Sequence, residues 1–341
     1  MIKQNKTNLA QLIFYAVLIL VLFMLPRMIE SRYFMQLANT SIIFFIIVMG
    51  LNFVIGFSGQ ISLASTAFWG IGAYTSAILT TRFGVSFWIA LPISAIVAML
   101  VGFITGYPAL RLSKFYLGIA TVGIGEIISL VLLNWTSMTN GSDGIPGIPR
   151  PRIGSYIISS NFQFFYLFLI IAIILFIASV KVKHSRFGRG LLAIKNNEIA
   201  AAATGIPTHR YKTVAFALSA LYAGIAGSLY AHLIGFISPD LFVFRQTVVF
   251  LCMFMIGGAG SLIGPAIGSV LLTLLPEFMR FMQAYYMAFY GLLVALLAIV
   301  MPKGISGLIE RFSPRLYVFL EPYAVVPKTV LERGFIKWKR K

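Results

Sequence analysis

Glu126 is an acid inside an apolar run. It lies near the middle of residues 115–135, with Thr121, Gly123, Gly125 and Ser129 around it. An ionisable group at membrane depth costs several kcal/mol unless it is paired, protonated or wetted. Two roles fit it. Either it lines a water-filled path or holds a gate, or it is neutral and hydrogen-bonded to a neighbouring helix. A proton-coupled carrier needs more buried ionisable groups than this chain offers. A second group of polar residues gathers at a glycine-rich interruption, Gly56-Phe57-Ser58-Gly59-Gln60-Ile61-Ser62-Leu63. Asn52, Gln60 and Ser62 there suit either freed backbone groups or contact with a small polar solute. A matching interruption, Gly257-Gly258-Ala259-Gly260-Ser261-Leu262-Ile263-Gly264-Pro265, supplies Gly258 and Gly260 in the other half. Paired breaks point to an inverted-repeat transporter with its pathway at the breaks. Close packing of helices through small residues accounts for the same glycines.

The third concentration of chemistry is charge. Residues 181–212 carry Lys181, Lys183, Arg186, Arg189, Lys195, Arg210 and Lys212 against a single acid, Glu198. The middle of this stretch, 191–204, is alanine-rich and predicts one short helix. Gly205-Ile206-Pro207 then ends it. A short helix flanked by basic residues, set between apolar runs, is a surface on which another protein can push.

Other chemistries are missing from the sequence. There is no G-x-x-x-x-G-K-[ST] for nucleotide phosphates, and the glycines from Gly118 to Gly125 follow no strand, so they are no dinucleotide fingerprint. His184, His209 and His232 lack metal-ligand spacing. The acids are too sparse for a Ser/His/Asp arrangement. Cys252 lies in an apolar run and reads as packing. No catalytic residue, metal or cofactor is expected; the pattern is that of a conduit.

The elements that must hold these residues are membrane spans. The chain has 341 residues, 59% of them hydrophobic and 11% charged, with a mean hydropathy of +0.92. Soluble proteins are nearer half apolar and a quarter charged. The net charge of +18 is confined to loops and ends and comes with no nucleic-acid motif. It therefore reads as topology and lipid head-group contact rather than nucleic-acid binding. About 20 apolar residues make a span. Candidates are 9–25, 34–55, 61–80, 87–107, 115–135 and 162–180 before the basic loop, then 213–236, 247–262, 266–276 and 285–301. The third, eighth and ninth are weak and suit broken or re-entrant segments. The first is read as a retained span, because no small-residue cleavage pattern follows it. Lys3 and Lys6, the basic loop, and a tail with nine basic residues against three acids from Lys303 onward all belong inside by the positive-inside rule. Six spans before the loop and four after it satisfy that rule, with both termini cytoplasmic. The expected fold is thus all-α and polytopic, with about ten transmembrane or re-entrant helices. Residues 1–308 form the transmembrane domain and 309–341 a basic cytoplasmic tail that lies on the membrane surface. Residues 136–161, rich in Gly and Pro, form the external loop, either a connector or a docking face. Trp69, Trp88, Trp135 and Trp338 fit interfacial anchors.

Seven segments in order carry a family resemblance. They run from GLNFVIGFSGQISLASTAFWGIGAYTSAIL (50–79) and YPALRLSKFYLGIATVGIGEI (107–127) through NGSDGIPGIP (140–149) and RFGRGLLAIKNNEIAAAATGI (186–206). RYKTVAFALSALYAGIAGSLYAHLIGFISPD (210–240), GGAGSLIGPAIG (257–268) and MPKGISGL (301–308) complete the set. Together they resemble the membrane-spanning permease of the branched-chain amino acid ABC importers. The resemblance implies a second related permease, two cytoplasmic ATPase subunits that bind the ATP, and an external solute-binding protein delivering Leu, Ile or Val. It also implies that the cytoplasmic loop inserts into a groove of the ATPase. Gly188, Arg189, Lys195, Glu198, Ala200, Ala201 and Gly205 are the residues expected at that contact. Asn52, Gln60, Ser62, Thr121, Glu126, Gly258 and Gly260 are the expected pathway residues. The chain departs from the family pattern at Ala64-Ser65-Thr66, Lys114-Phe115 and Ala202. Related permeases carry urea or short amides, which is the nearest alternative; a stand-alone carrier or channel is a further one.

Overall fold

The computed structural model describes residues 31–112, 114–278 and 304–312, together with residues 23, 24, 26 and 291. The expected spans at 9–25 and 285–301 and the tail beyond 312 lie outside the described residues, and so does Trp338.

The described chain is mostly helical. The helices are α1 (Arg32–Leu51), α2 (Ser65–Thr81), α3 (Phe87–Ala109), α4 (Lys114–Asn134), α5 (Asn161–His184), α6 (Arg186–Asn196), α7 (Glu198–Ala203), α8 (Thr208–Ile234), α9 (Phe244–Gly257), α10 (Gly264–Phe278) and α11 (Gly304–Phe312). Five are long and apolar enough to cross a membrane: α1 with its continuation to Phe57, α3, the Tyr116–Asn134 part of α4, α5 and α8. The three segments expected to be weak are the short ones. α2 has 17 residues, α9 has 14 and α10 has 15. At about 1.5 Å per residue α2 reaches only about 25 Å, short of a hydrocarbon core of about 30 Å.

α8 is the centre of the bundle. Some 78% of its apolar window is buried, against 22% for α4 at the periphery. It packs chiefly on α3 and α2, and then on α1. The α2–α8 contact is close because small residues line it. A Cβ on Gly227 would lie 2.1 Å from the Trp69 carbonyl oxygen, and one on Gly72 would lie 2.2 Å from that of Gly224. Backbone-to-backbone approach of this kind replaces the hydrophobic drive that helices lack inside lipid. Trp69 is the exception to the expected interfacial tryptophans. It is buried among Phe44, Tyr230, Phe242 and Phe250, and so is a core residue. Trp88 and Trp135 are exposed.

The segment expected to be external is ordered despite its glycines and prolines. β1 (Ile145–Pro146) pairs antiparallel with β4 (Phe236–Ile237), and β2 (Arg152–Ile153) pairs with β3 (Tyr156–Ile157). These two-residue pairings are the departures from an all-helical chain among the described residues. His232 Nδ1 donates to the Pro149 carbonyl at 2.7 Å, while Nε2 meets Ser76 Oγ at 3.0 Å. The carbonyl can only accept, so Nδ1 carries the hydrogen in that bond. The 136–161 segment is thereby fastened to α8 and α2.

Candidate functional site

The basic loop begins where α5 ends. Ser160 and Gln163 form a capping box at the α5 N-terminus. Lys181, Lys183 and His184 occupy its last turn, where positive charge offsets the helix dipole. Ser185 then turns the chain and its Oγ accepts from the Gly188 amide, starting α6. Gly188 serves this turn: a Cβ there would lie 2.2 Å from the Lys183 carbonyl oxygen. Arg189 also works locally, donating to the His184 carbonyl at 2.7 Å.

The single helix expected over 191–204 is two helices. Asn197 leaves the helical conformation, and its Oδ1 accepts from the Ala200 amide to cap α7. Asparagine is a strong N-cap, which outweighs the helix propensity of its neighbours. α7 ends in a Schellman pattern: the Gly205 amide reaches the Ala202 carbonyl, and the Ile206 amide reaches that of Ala201. Gly205 has φ 85°, as that motif requires. Glu198 pairs with Lys212 of α8 at 2.6 Å. Ala201 is buried while Ala200 is exposed. The most exposed large apolar side chain of this helix is Ile199, at 83%. Sequence reasoning passed over Ile199. An isoleucine amid polar and basic residues was the available signal.

The two glycine-rich interruptions, far apart in sequence, come together. α1 passes into a π-helical turn, Asn52–Phe57, where the regular ladder is broken. Buried Asn52 then bridges to the second interruption. Its Nδ2 donates to the Ser261 carbonyl at 2.5 Å, and its Oδ1 accepts from the Gly260 amide at 2.9 Å. Gly260 has φ 88° and Gly258 φ 112°. Lys195 on α6, one of the residues expected at the ATPase contact, has its Nζ turned inward to this knot, where it donates to the Gly56 carbonyl at 2.6 Å. Lys183 on α5 donates to the Gly260 carbonyl at 3.1 Å. Burial, and after it the charge of Lys183, hold the Lys195 ammonium below the usual lysine range. Gln60 and Ser62 are buried in the same region, with the Gln60 amide bonded to the Val54 carbonyl. Thr121 is buried as well, and its Oγ1 accepts from the Leu63 amide at 3.0 Å. Asn52 and Gly260 therefore belong to one knot at the basic-loop end, with Gly258, Gln60 and Ser62 close to it in the chain, while Thr121 is tied to Leu63 on the way to the cleft of Glu126.

Glu126 stands apart from that knot. It lines a small cleft with Leu63, Thr66, Ser129, Phe242 and Thr247 among its walls. Thr66 and Thr247 share a hydrogen bond at 2.5 Å, and Ser129 donates to the Phe242 carbonyl. The side of α4 that carries Glu126 is exposed, with Tyr116, Ile119, Ile127 and Leu130 beside it in helical spacing.

Residues 33–301 match the family described as branched-chain amino acid transport system / permease component. The chain is 34% identical over 322 residues to the high-affinity branched-chain amino acid transport system permease protein LivM of Escherichia coli (strain K12), covering 88% of this chain and 76% of that one. LivM of Salmonella typhimurium matches to the same extent. LivH of Salmonella typhimurium, a permease protein of the same type of system, is 27% identical over 285 residues, covering 77% of this chain and 90% of that one. No solved structure matches the chain significantly. A family match across most of the chain, joined to the apolar helices and their two interruptions, settles the assignment: the chain belongs to the permease-component family of branched-chain amino acid transport systems.

Proposed function

We propose that the chain is the permease subunit of an ABC importer that carries branched-chain amino acids across the cytoplasmic membrane of a prokaryote. It works beside a second, related permease, two cytoplasmic ATPase subunits that bind the ATP, and an external solute-binding protein. Residues 1–308 serve as the transmembrane domain with both termini inside, and 309–341 as a basic tail on the lipid surface. The observation that carries this reading is α7. It holds Ile199 out at 83% exposure, on a capped helix between two spans, in a chain with no phosphate-binding loop of its own. An exposed apolar side chain on a rigid, short helix suits insertion into a groove of a partner. Gly188 and Arg189 shape the turn into α6 and Glu198 holds α7, while Ile199 and Ala200 contact the ATPase.

Glu126 supports the choice of solute. A carboxylate beside the Thr66, Thr247 and Ser129 hydroxyls and two phenylalanines, Phe242 and Phe244, offers a partner for an ammonium group and a wall for an aliphatic side chain. Urea and short amides have no ammonium to match it. The test is uptake into vesicles holding the whole complex. Labelled Leu, Ile and Val are taken up with ATP present, and urea is not. Urea uptake without amino-acid uptake would overturn the solute. Uptake by the chain alone, without ATPase subunits, would overturn the importer reading.

A further inference from the structure

The two lysine contacts tie both interruptions, which Asn52 joins to each other, to the helices on either side of the α5–α6 turn. Gly56 lies in the π-helical turn after α1, Gly260 in the loop between α9 and α10, Lys195 on α6 and Lys183 in the last turn of α5. The Gly56 and Gly260 carbonyls lie outside regular α-helical ladders, so each needs a donor from elsewhere. An ammonium is a stronger donor than a neutral group, and more so where water is scarce. The fit is tight around both. A Cβ on Gly56 would overlap the Asn52 side chain, and one on Gly59 would lie 3.1 Å from Lys195 Cγ. Lys195 Nζ also lies 3.5 Å from where a Cβ on Gly260 would stand. Lys183 Nζ sits 5.6 Å from the centre of the Phe57 ring.

We propose that Lys195 and Lys183 are positioning residues of the transport step, which tie the two interruptions, joined by Asn52 into one gate at the basic-loop end, to α6 and α5 and pass the movement of α6 to that gate. The proposal rests on the importer reading above. α6 is suited to the task because its Leu191 and Ile194 are buried, so it shifts as a packed unit rather than bending. Its C-terminal end leads directly into the capped α7. A displacement of α7 by a partner therefore pulls on the Gly56 carbonyl through Lys195. The mutual repulsion of the two ammoniums favours separation once one contact is strained. Asn52 holds the two interruptions in register until then.

The experiment uses the whole complex in proteoliposomes and reads three quantities: ATPase subunits co-purified, ATP hydrolysed, and solute moved per ATP. Lys195→Met keeps the stem and removes the donor. It is expected to retain ATPase co-purification and hydrolysis while solute moved per ATP falls about tenfold, the scale of one charge-assisted hydrogen bond. Lys195→Arg restores coupling. Lys183→Met, which leaves α6 intact, gives the same uncoupling. In a Cys252→Ser background, Ser58→Cys in the first interruption reacts slowly with a permeant maleimide, and several-fold faster when Lys195→Met is added. Unchanged solute per ATP in both methionine variants overturns the proposal. So does a loss of uptake and hydrolysis in step with lost assembled complex, since that is a structural role only. The importer reading fails separately, when the unaltered complex neither retains its ATPases nor takes up amino acids.

Discussion

Glu126 stands on the exposed side of α4, among Tyr116, Ile119, Ile127 and Leu130. Facing lipid, an ionised carboxylate at the bilayer centre costs about 3 kcal/mol or more. Facing a second permease or a wetted cleft, the cost is met by partners, and the carboxylate is free to meet a cationic group on the solute. Glu126→Leu is therefore expected to leave the amount of assembled complex within about twofold while lowering amino-acid uptake by about tenfold or more. Glu126→Gln, which keeps the shape and a polar tip, falls between the two. Full uptake by Glu126→Leu removes Glu126 from the pathway. The other acid of interest works differently. Glu198 is held by Lys212 at 2.6 Å, so Glu198→Lys places two ammoniums together and displaces α7. ATPase co-purification is expected to fall, and adding Lys212→Glu is expected to recover part of it. The sequence exposed both acids through their isolation. It could not reveal that Thr121 and Asn52 are spent on backbone groups, because their partners lie 58 and more than 200 residues away.

α7 shows what an element's ends decide. Its six residues are too few to be stable as an isolated helix. The Asn197 cap, the Schellman turn at Gly205 and the pairing of Glu198 with Lys212 hold it instead. Gly205→Pro imposes a φ near −65° where 85° is needed. It also removes the Gly205 amide that bonds to Ala202. The expected result is normal membrane insertion with ATPase co-purification lowered about tenfold. Gly205→Ala is milder, costing about 1 kcal/mol. Wild-type co-purification by Gly205→Pro would remove α7 from the contact. The α2–α8 crossing tests packing rather than docking. Gly227→Val forces a side chain into the Trp69 backbone, and a loss of stability of about 2 kcal/mol or more is expected, read as a lowered melting temperature in detergent. The run of apolar residues was legible enough to place α3, α4 and α5 within a few residues of their observed ends. The interruptions were legible through glycine. The split of α6 from α7 was not, because alanine propensity hid the capping signal of Asn197. Trp69 was misread as an interfacial anchor because its aromatic partners come from α1, α8, α9 and the turn before α9.

On the proposed reading, force enters at one end of the described bundle and solute identity is read elsewhere. The knot of Asn52, Gly260, Lys183 and Lys195 lies against α6 at the basic-loop end. The fastened loop with β1–β4 and the His232 contacts lies at the other, and Glu126 lines its cleft between elements of both halves. α8 runs through the middle, with Lys212 pairing Glu198 at its first turns and His232 bonding Pro149 near its last. This polarity requires α7 and the β2–β3 hairpin to face opposite compartments. Both offer exposed sites for a test: Ala203 on α7, and Tyr156, 60% exposed, on β3. In intact cells with Cys252→Ser, Tyr156→Cys is expected to react with an impermeant maleimide. Ala203→Cys and Tyr317→Cys are expected to react only after the membrane is opened. Labelling of Ala203→Cys from outside would invert the orientation, put the basic loop on the wrong side for an ATPase, and remove the route by which α6 can move the gate. Labelling of Tyr317→Cys alone from outside would instead leave α7 in place and change the number of spans that follow it.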